Sequence, residues 1–469
     1  MISTRAMLFW LALSFSCAPA SRADYWLERG PWSGAITPVS AVVKAKLVRE
    51  AALARLVVST NSDLSRPMLS AADTAVPERN RVVSFYLTDL QPNMIYYYAV
   101  GTGGRVITEK RGRFRTFPLG RASFTFAFAS CARTASSNPV FTTILRNNPL
   151  FFLNDGDFHY LDITTNDRAR FREAYDRVLS SPAQAELYRY IPFVYIWDDH
   201  DFAGNNSSRA APSREAARLT YQEYVPHYPL AAGEGDVPIY QAFTVGRVRF
   251  VLTDLRSERS PSDQPDDQQK SMLGARQKAW FKQQLLEARD SYPLIFWVSS
   301  VPWLGQAGAN YYPVATNQFG FIHHTNPPIA RLWPPSRTNL VSHPQTEDHW
   351  SVYATERREI ADFIKENQIK GVCILHGDAH MLGADDGSHS DFSSGGGAPI
   401  PVLCAAPLDQ HASIKGGPYS QGVYAPRRGE GCFGLVNVID EGDKIRVIFS
   451  GRNFLNEQKI SLKFEVPAK

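Results

Sequence analysis

Across residues 24–118 short, partly alternating apolar runs are separated by turn residues: KAKLVRE (44–50), LARLVVST (53–60), RVVSFYLTDL (81–90), IYYYAVG (95–101) and GRFRTFP (112–118). Alternation at period two predicts strands with one buried face. The turn followed by a tyrosine-rich run in LQPNMIYYYAVG has the cadence of a fibronectin type III-like sandwich. After Gly120 the rhythm changes. Longer apolar runs, FTFAFA (124–129), PLFFL (149–153), IPFVYIW (191–197), VRFVLT (248–253), PLIFWVSS (293–300) and KGVCIL (370–375), predict buried strands. Between them, ARFREAYDRVL (169–179), ARQKAWFKQQLLEARD (275–290) and TERREIADFIKEN (355–367) repeat apolar positions every three or four residues and predict helices. The pattern predicts a small all-β sandwich at 24–118, then a layered α/β domain at 119–469. A Pro-, Asn- and His-rich stretch at 305–348 lacks periodicity and predicts a long loop over one face. No internal repeat is present.

A length of 469 residues suits two domains, and 44% hydrophobic with 20% charged residues suits a folded globular protein. The net charge of +4 is spread along the chain, which argues against a nucleic-acid or membrane-surface patch. Residues 1–23 resemble an export signal: Arg5, the apolar run Met7 to Phe15, and a small-residue cleavage site at Ser21 to Ala23. That run is too short to span a bilayer, so export fits better than a transmembrane anchor. Cys17 does not predict lipidation, because Ser14 stands where a lipoprotein signal usually carries leucine. Cys131, Cys373, Cys404 and Cys432 remain after cleavage, too few for a disulfide scaffold. Cys404 and Cys432 are a candidate pair in an exported protein, Cys373 is a core thiol, and Cys131 has no evident structural task.

The residues at the end of each apolar run are informative. The runs terminate in Ser130-Cys131, Asn154-Asp155-Gly156-Asp157, Asp198-Asp199-His200-Asp201, Asp254-Leu255-Arg256 and His376-Gly377-Asp378-Ala379-His380. Ligands of α/β sheets bind beyond the carboxyl ends of the strands. Strands lying side by side would therefore bring carboxylates, imidazoles, a thiol and Tyr160 to one place. Like charges that close need compensation, which metal ions supply. Singly each piece is weak, since Gly-Asp is usually a turn and acidic loops usually face solvent. Five strand ends, taken in chain order, carry ligand-type residues and favour a metal centre.

With these residues in view, the chain resembles the PhoD-like alkaline phosphatases, metallophosphoesterases related to purple acid phosphatases. The resemblance runs through the β-sandwich, Ser-Cys, GDFHY, WDDHD, TDLR, MLGARQKAWF, DHWSVYATERREI and HGDAH. It implies a secreted hydrolase of small phosphate monoesters or diesters using Fe3+ and Ca2+, with a water activated by the metals. It further implies Asp157 as the bridging ligand, and Cys131, Tyr160 and His380 on iron. Asp378 would face the neighbouring metal, with Asp199 in the ligand position of WDDHD and Asp198 as the alternative. The chemistry of the donors agrees: thiolate and phenolate suit trivalent iron, and carboxylates suit calcium. A bridging carboxylate holds two cations at the ~3.5–4 Å used for in-line phosphoryl displacement. Arg256 is the candidate phosphate clamp, joined by Arg259, Arg133, Asn205 and Asn206. His200 either protonates the leaving oxygen or hydrogen-bonds the phosphate.

Two departures stand out. Asp201 stands where the family commonly shows Glu, while DLRSER keeps both arginines. Residues 310–340, with His323 and His324, have no counterpart and leave the substrate open between monoester, diester and phospholipid. The rival readings are a phospholipase-type phosphodiesterase and a catalytically inactive binding protein of the same fold. A serine hydrolase is disfavoured because no Gly-x-Ser-x-Gly opens a helix.

Overall fold

The computed structural model describes residues 26–305 and 348–468. The export signal at 1–23, the loop at 306–347 and its His323, His324 and His343 lie outside the described residues.

Strands Val248–Leu252, Leu294–Val298 and Val372–His376 lie side by side and parallel. Alternation divides their side chains between two cores. Phe250, Leu252, Phe296, Val298, Cys373 and Leu375 enter one, whereas Val251, Ile295, Trp297 and Ile374 enter the other. Both faces are covered, which is why these strands read as unbroken apolar runs. The first core is shared with the strands Phe124–Ala129, Phe152–Asn154 and Phe193–Tyr195, themselves parallel neighbours. Phe126 stacks on Phe151 at 5.1 Å and meets Phe250 and Phe296 edge-on at 5.4 and 5.3 Å, so the two sheets lie face to face. The second core fills the space under helices Ala275–Ser291 and Ala354–Glu366, with Phe281 4.6 Å from Trp297. Tyr188 of helix Pro182–Tyr190 covers the far side of the first sheet against Phe193 at 4.7 Å. The result is the expected α/β layering.

The N-terminal region is all-β, as expected. Strands Leu53–Ser59, Ile95–Thr102 and Gly112–Arg115 form one sheet. Its partner, made by Leu27–Gly34, Ala41–Leu47 and Val82–Leu87, is continuous with the nine-stranded sheet of the α/β region through a parallel pairing of Gly34 with Phe193. The change of rhythm near residue 118 therefore marks a change of pattern that the backbone ladder crosses. Polar contacts reinforce the junction: the buried Lys44 ammonium donates to the carbonyls of Gln222 and Glu223, both at 2.8 Å. At the opposite edge, three antiparallel strands, Cys432–Asp440, Lys444–Asn453 and Gln458–Pro467, complete the sheet beside Phe124–Ala129.

The candidate disulfide does not form. Cys404 lies in the seven-stranded sheet and Cys432 opens a strand of the nine-stranded one, and all four described cysteines are free and buried.

Candidate metal centre

The carboxyl ends of the parallel strands approach one another closely at two glycines. A Cβ on Gly156 would stand 2.5 Å from Asp198 Cβ, and one on Gly377 would stand 2.1 Å from Ser130 Oγ. The glycines of GDFHY and HGDAH thus permit four strand ends to approach in two pairs. Four non-glycine residues here adopt left-handed backbone: Cys131 (φ 62°), Asp157 (54°), Asp378 (54°) and His380 (43°). Each is disfavoured by about 1 kcal/mol or more, and such strain gathers at functional sites. It turns these side chains out of the strand direction and toward one another.

Two groups of metal-ligating type result, each with its donor atoms within 4.8 Å of one another: Cys131, Asp157 and His380, and Asp157, Asp199 and His200. Asp157 belongs to both. Tyr160 donates from its hydroxyl to Asp157 Oδ2 at 2.6 Å and lies 3.1 Å from His380 Nε2. The Cys131 thiol approaches the same carboxylate oxygen at 3.5 Å, while Asp157 Oδ1 is buried without a hydrogen-bond partner. Asp199, not Asp198, faces this cluster; Asp198 turns away to Arg256 Nε at 2.6 Å and Ser300 Oγ at 2.8 Å.

Asp378 sits at the edge of the cluster. Lys415 Nζ donates to its Oδ1 at 2.5 Å, and its Oδ2 is buried without a hydrogen bond, 3.7 Å from His349 Nε2. His380 is oriented by the carbonyl of His411, 2.7 Å from Nδ1, which aims Nε2 at Tyr160. His200 lies against the Tyr160 ring, centroids 4.2 Å apart, with Nδ1 2.5 Å from Asp162 Oδ1.

Without a compensating cation the cluster is electrostatically crowded. Burial, then the charge of Asp199, holds the Asp157 carboxyl well above its ordinary range. Burial and the Asp157 charge likewise push up the Cys131 thiol and the Tyr160 hydroxyl. Burial and then Lys415 push His380 down to about 4, leaving it a neutral donor. Burial opposes protonation of His200, yet Asp157, Asp162 and Asp199 outweigh it and raise the imidazole to about 10. Buried anionic donors, orphaned oxygens on Asp157 and Asp378, and a neutral imidazole form a set that fits cations.

The remaining expected residues fall out differently. Arg256 and Arg259 are fully buried. Arg256 donates Nη1 and Nη2 to Asp348 at 2.9 and 2.7 Å besides its bond to Asp198, and Arg259 Nη2 lies 2.6 Å from Asp348. Arg256 therefore presents no free fork for a phosphate, and Arg259, whose Nη1 has no hydrogen-bond partner, is fully buried beside Asp348. Asn206 touches the site through its backbone N–H, which donates to Asp199 Oδ2 at 2.7 Å; Asn205 is exposed. Arg133 is exposed, and its backbone N–H donates to Asp409. Asp155 is buried with neither oxygen partnered, and burial holds its carboxyl far above the ordinary range. His159 is buried beside Tyr175 and belongs to neither donor group. Sequence reasoning missed Asp348, Asp162 and Lys415; Asp348 had one available signal, its place beside His349 in a matched stretch.

A family model described as PhoD-like phosphatase matches residues 126–412, which hold both donor groups. The chain belongs to the PhoD-like phosphatase family. This PhoD-like chain is 23% identical over 410 residues to alkaline phosphatase D of Bacillus subtilis (strain 168), covering 78% of this chain and 63% of that protein. It is 26% identical over 171 residues to tartrate-resistant acid phosphatase type 5 of Sus scrofa, covering 36% of this chain and 47% of that protein. The chain thus spans less than two thirds of the length of these curated relatives. A solved structure of PhoD superposes with a TM-score of 0.70 at 18% identity, covering 94% of this chain and 92% of that one, and shares its fold. No helix among the described residues is long and apolar enough to cross a membrane.

Proposed function

We propose that this PhoD-like chain is an exported, metal-dependent hydrolase of phosphate esters. The observation that carries the reading is Asp157, a carboxylate common to two donor groups with one oxygen unpartnered in a buried site. Cys131, Tyr160 and His380 would hold one cation with Asp157, and the thiolate and phenolate favour ferric iron. Asp199 and Asp378 supply hard carboxylate oxygens that suit calcium. When bound, such cations supply a nucleophile from water at moderate pH and offset negative charge developing on the phosphate.

The chain's own residues do the rest. Asp162 fixes the His200 ring by engaging Nδ1, which leaves Nε2 for the ester. His200 is then placed to hold a proton toward the leaving oxygen. Arg256 and Asp348 keep Asp198 and its neighbour Asp199 in register. Residues 1–23 carry the export reading, and the enclosed donor set distinguishes an active enzyme from an inactive binding relative.

The decisive experiment pairs elemental analysis of the purified full chain with rates on p-nitrophenyl phosphate and bis(p-nitrophenyl) phosphate. Stoichiometric metal with ester turnover supports the reading, and faster diester turnover would shift it to a phosphodiesterase. Metal-free protein inactive on both esters after iron and calcium are supplied would sink it.

Two variants refine the roles. Cys131→Ser is expected to bleach visible ligand-to-iron absorption and remove most activity while the chain stays folded, whereas Cys373→Ser, deep in the first core, keeps normal metal content. Full iron and full rate in the Cys131 variant would make it only a core thiol. Asp162→Asn should lower turnover by up to the roughly 10²- to 10⁴-fold that a positioned general acid contributes. The loss should be larger for phenyl phosphate than for 2,4-dinitrophenyl phosphate, whose leaving group needs no proton. An equal loss on both would leave Asp162 a structural residue.

A further inference from the structure

Segment 411–419 lies against the site through His411 and Lys415, and the proposed hydrolysis gives it no role. His411 supplies the carbonyl that orients His380, 2.7 Å from Nδ1. Tyr419 places its hydroxyl 3.1 Å from His376 Nε2 and 3.4 Å from the carbonyl oxygen of Lys415. A Cβ on Gly416 would stand 2.9 Å from Pro302 and 3.0 Å from the Leu304 carbonyl, so the segment is pressed onto the loop that follows strand Leu294–Val298. Lys415, between these fixed points, points its ammonium into the cluster.

Its surroundings are anionic on several sides. Lys415 contacts Asp378 at 2.5 Å, and the charges of Asp199 and Asp348 bear on it as well. Its side chain keeps 15% exposure, whereas those of Arg256 and Arg259 have 0%. An ammonium has three donors, and Asp378 takes one of them. A cation seated on Asp378 would divide that carboxylate's attraction and leave the ammonium in need of another anion.

We propose that Lys415 donates to the phosphate oxygens of bound substrate and product, and that it biases the site toward dianionic monoesters over monoanionic diesters. The inference rests on the phosphate-ester reading of the site. A monoester with its second pKa near 6 is a dianion at alkaline pH, whereas a diester carries one negative charge and gains less from a fixed cation. Lys415 thereby fills the place expected of Arg256.

The test uses inorganic phosphate as the probe, so it does not depend on turnover. Calorimetric titration of the metal-loaded full chain is compared between wild type, Lys415→Met and Lys415→Arg, with metal content measured on the same samples. Loss of one charge-assisted hydrogen bond weakens binding about 10- to 100-fold. Lys415→Met should show that loss at unchanged metal content, and Lys415→Arg should recover most of it. In parallel, KM for p-nitrophenyl phosphate should rise by the same factor while KM for bis(p-nitrophenyl) phosphate changes less than about threefold. Unchanged phosphate affinity at full metal content overturns the proposal. So does a loss of phosphate binding that tracks a loss of metal, which would make Lys415 only a partner of Asp378. Should the methionine variant fail to fold, Lys415→Gln carries the same comparison. A wild type that turns over neither ester, yet binds phosphate through Lys415, would defeat the hydrolase reading and with it the ester preference, and leave only the phosphate contact of Lys415 standing.

Discussion

Asp157→Asn is expected to lose both cations together and to lower ester hydrolysis by about a thousandfold or more. Metals contribute several kcal/mol of charge stabilisation to such reactions, and each 1.36 kcal/mol is a factor of ten. Asp157 is the residue common to both donor groups, and Tyr160 and Cys131 converge on its Oδ2 at 2.6 and 3.5 Å. If Asp157 bridges two cations as proposed, a neutral amide there would remove an anion from between them and leave their mutual repulsion less compensated. Because cations bind the folded chain and not the unfolded one, thermal stability should fall with occupancy. Asp155→Asn, two residues earlier, should be mild in both respects: that carboxyl is buried, without a partner and held toward its neutral form. Elemental analysis and thermal unfolding of both variants, with and without added calcium, settle the point. If Asp155→Asn empties the site and Asp157→Asn does not, the bridge is assigned to the wrong aspartate, and Tyr160 falls with it.

The strand ends were legible because two independent signals coincide there. An apolar run buried on both faces announces its own termination, and ligand-type residues after Ala129, Asn154, Tyr195 and His376 are conspicuous against it. The left-handed backbone at Cys131, Asp157, Asp378 and His380 was not legible: aspartate and histidine adopt it more readily than most residues, but the chain holds many of both and residue type does not single out these positions. Lys415 was hidden for another reason. It lies in a Gly- and Pro-containing loop without periodicity, and its partner Asp378 is 37 residues away. Arg256 shows the limit of motif reasoning most clearly. A guanidinium near a metal cluster suits phosphate, but only the fold reveals that Asp348, 92 residues further on, has already engaged it. Residue type announces what a side chain is able to bind, and long-range packing decides what it does bind.

That same network predicts the largest stability effect of a single substitution outside the metal ligands. Asp348 accepts two hydrogen bonds from Arg256 at 2.9 and 2.7 Å and lies 2.6 Å from Arg259, with all three side chains at most 1% exposed. Asp348→Ala leaves two buried guanidiniums near each other with one of them still held by Asp198. Removing one partner of a buried ion pair costs about 3–5 kcal/mol, because the remaining charge stays desolvated. The loss should appear in urea unfolding with chelator present, which separates it from metal loss. Arg259→Met combined with Asp348→Ala should cost less than the two single losses added, since the second change removes a charge that the first had stranded. The pH dependence has a definite sign. Burial alone would raise the Asp348 carboxyl, but Arg256 and Arg259 hold it well below its ordinary range. Its contribution is therefore fully present above the unfolded-state value of about 3.9 and is lost as pH falls toward the lower folded value. Wild type and Asp348→Asn should differ at neutral pH and converge in acid. A neutral-pH difference below about 1 kcal/mol, the range of exposed pairs, would mean that the arginines find other partners and that Asp348 does not anchor this side of the site.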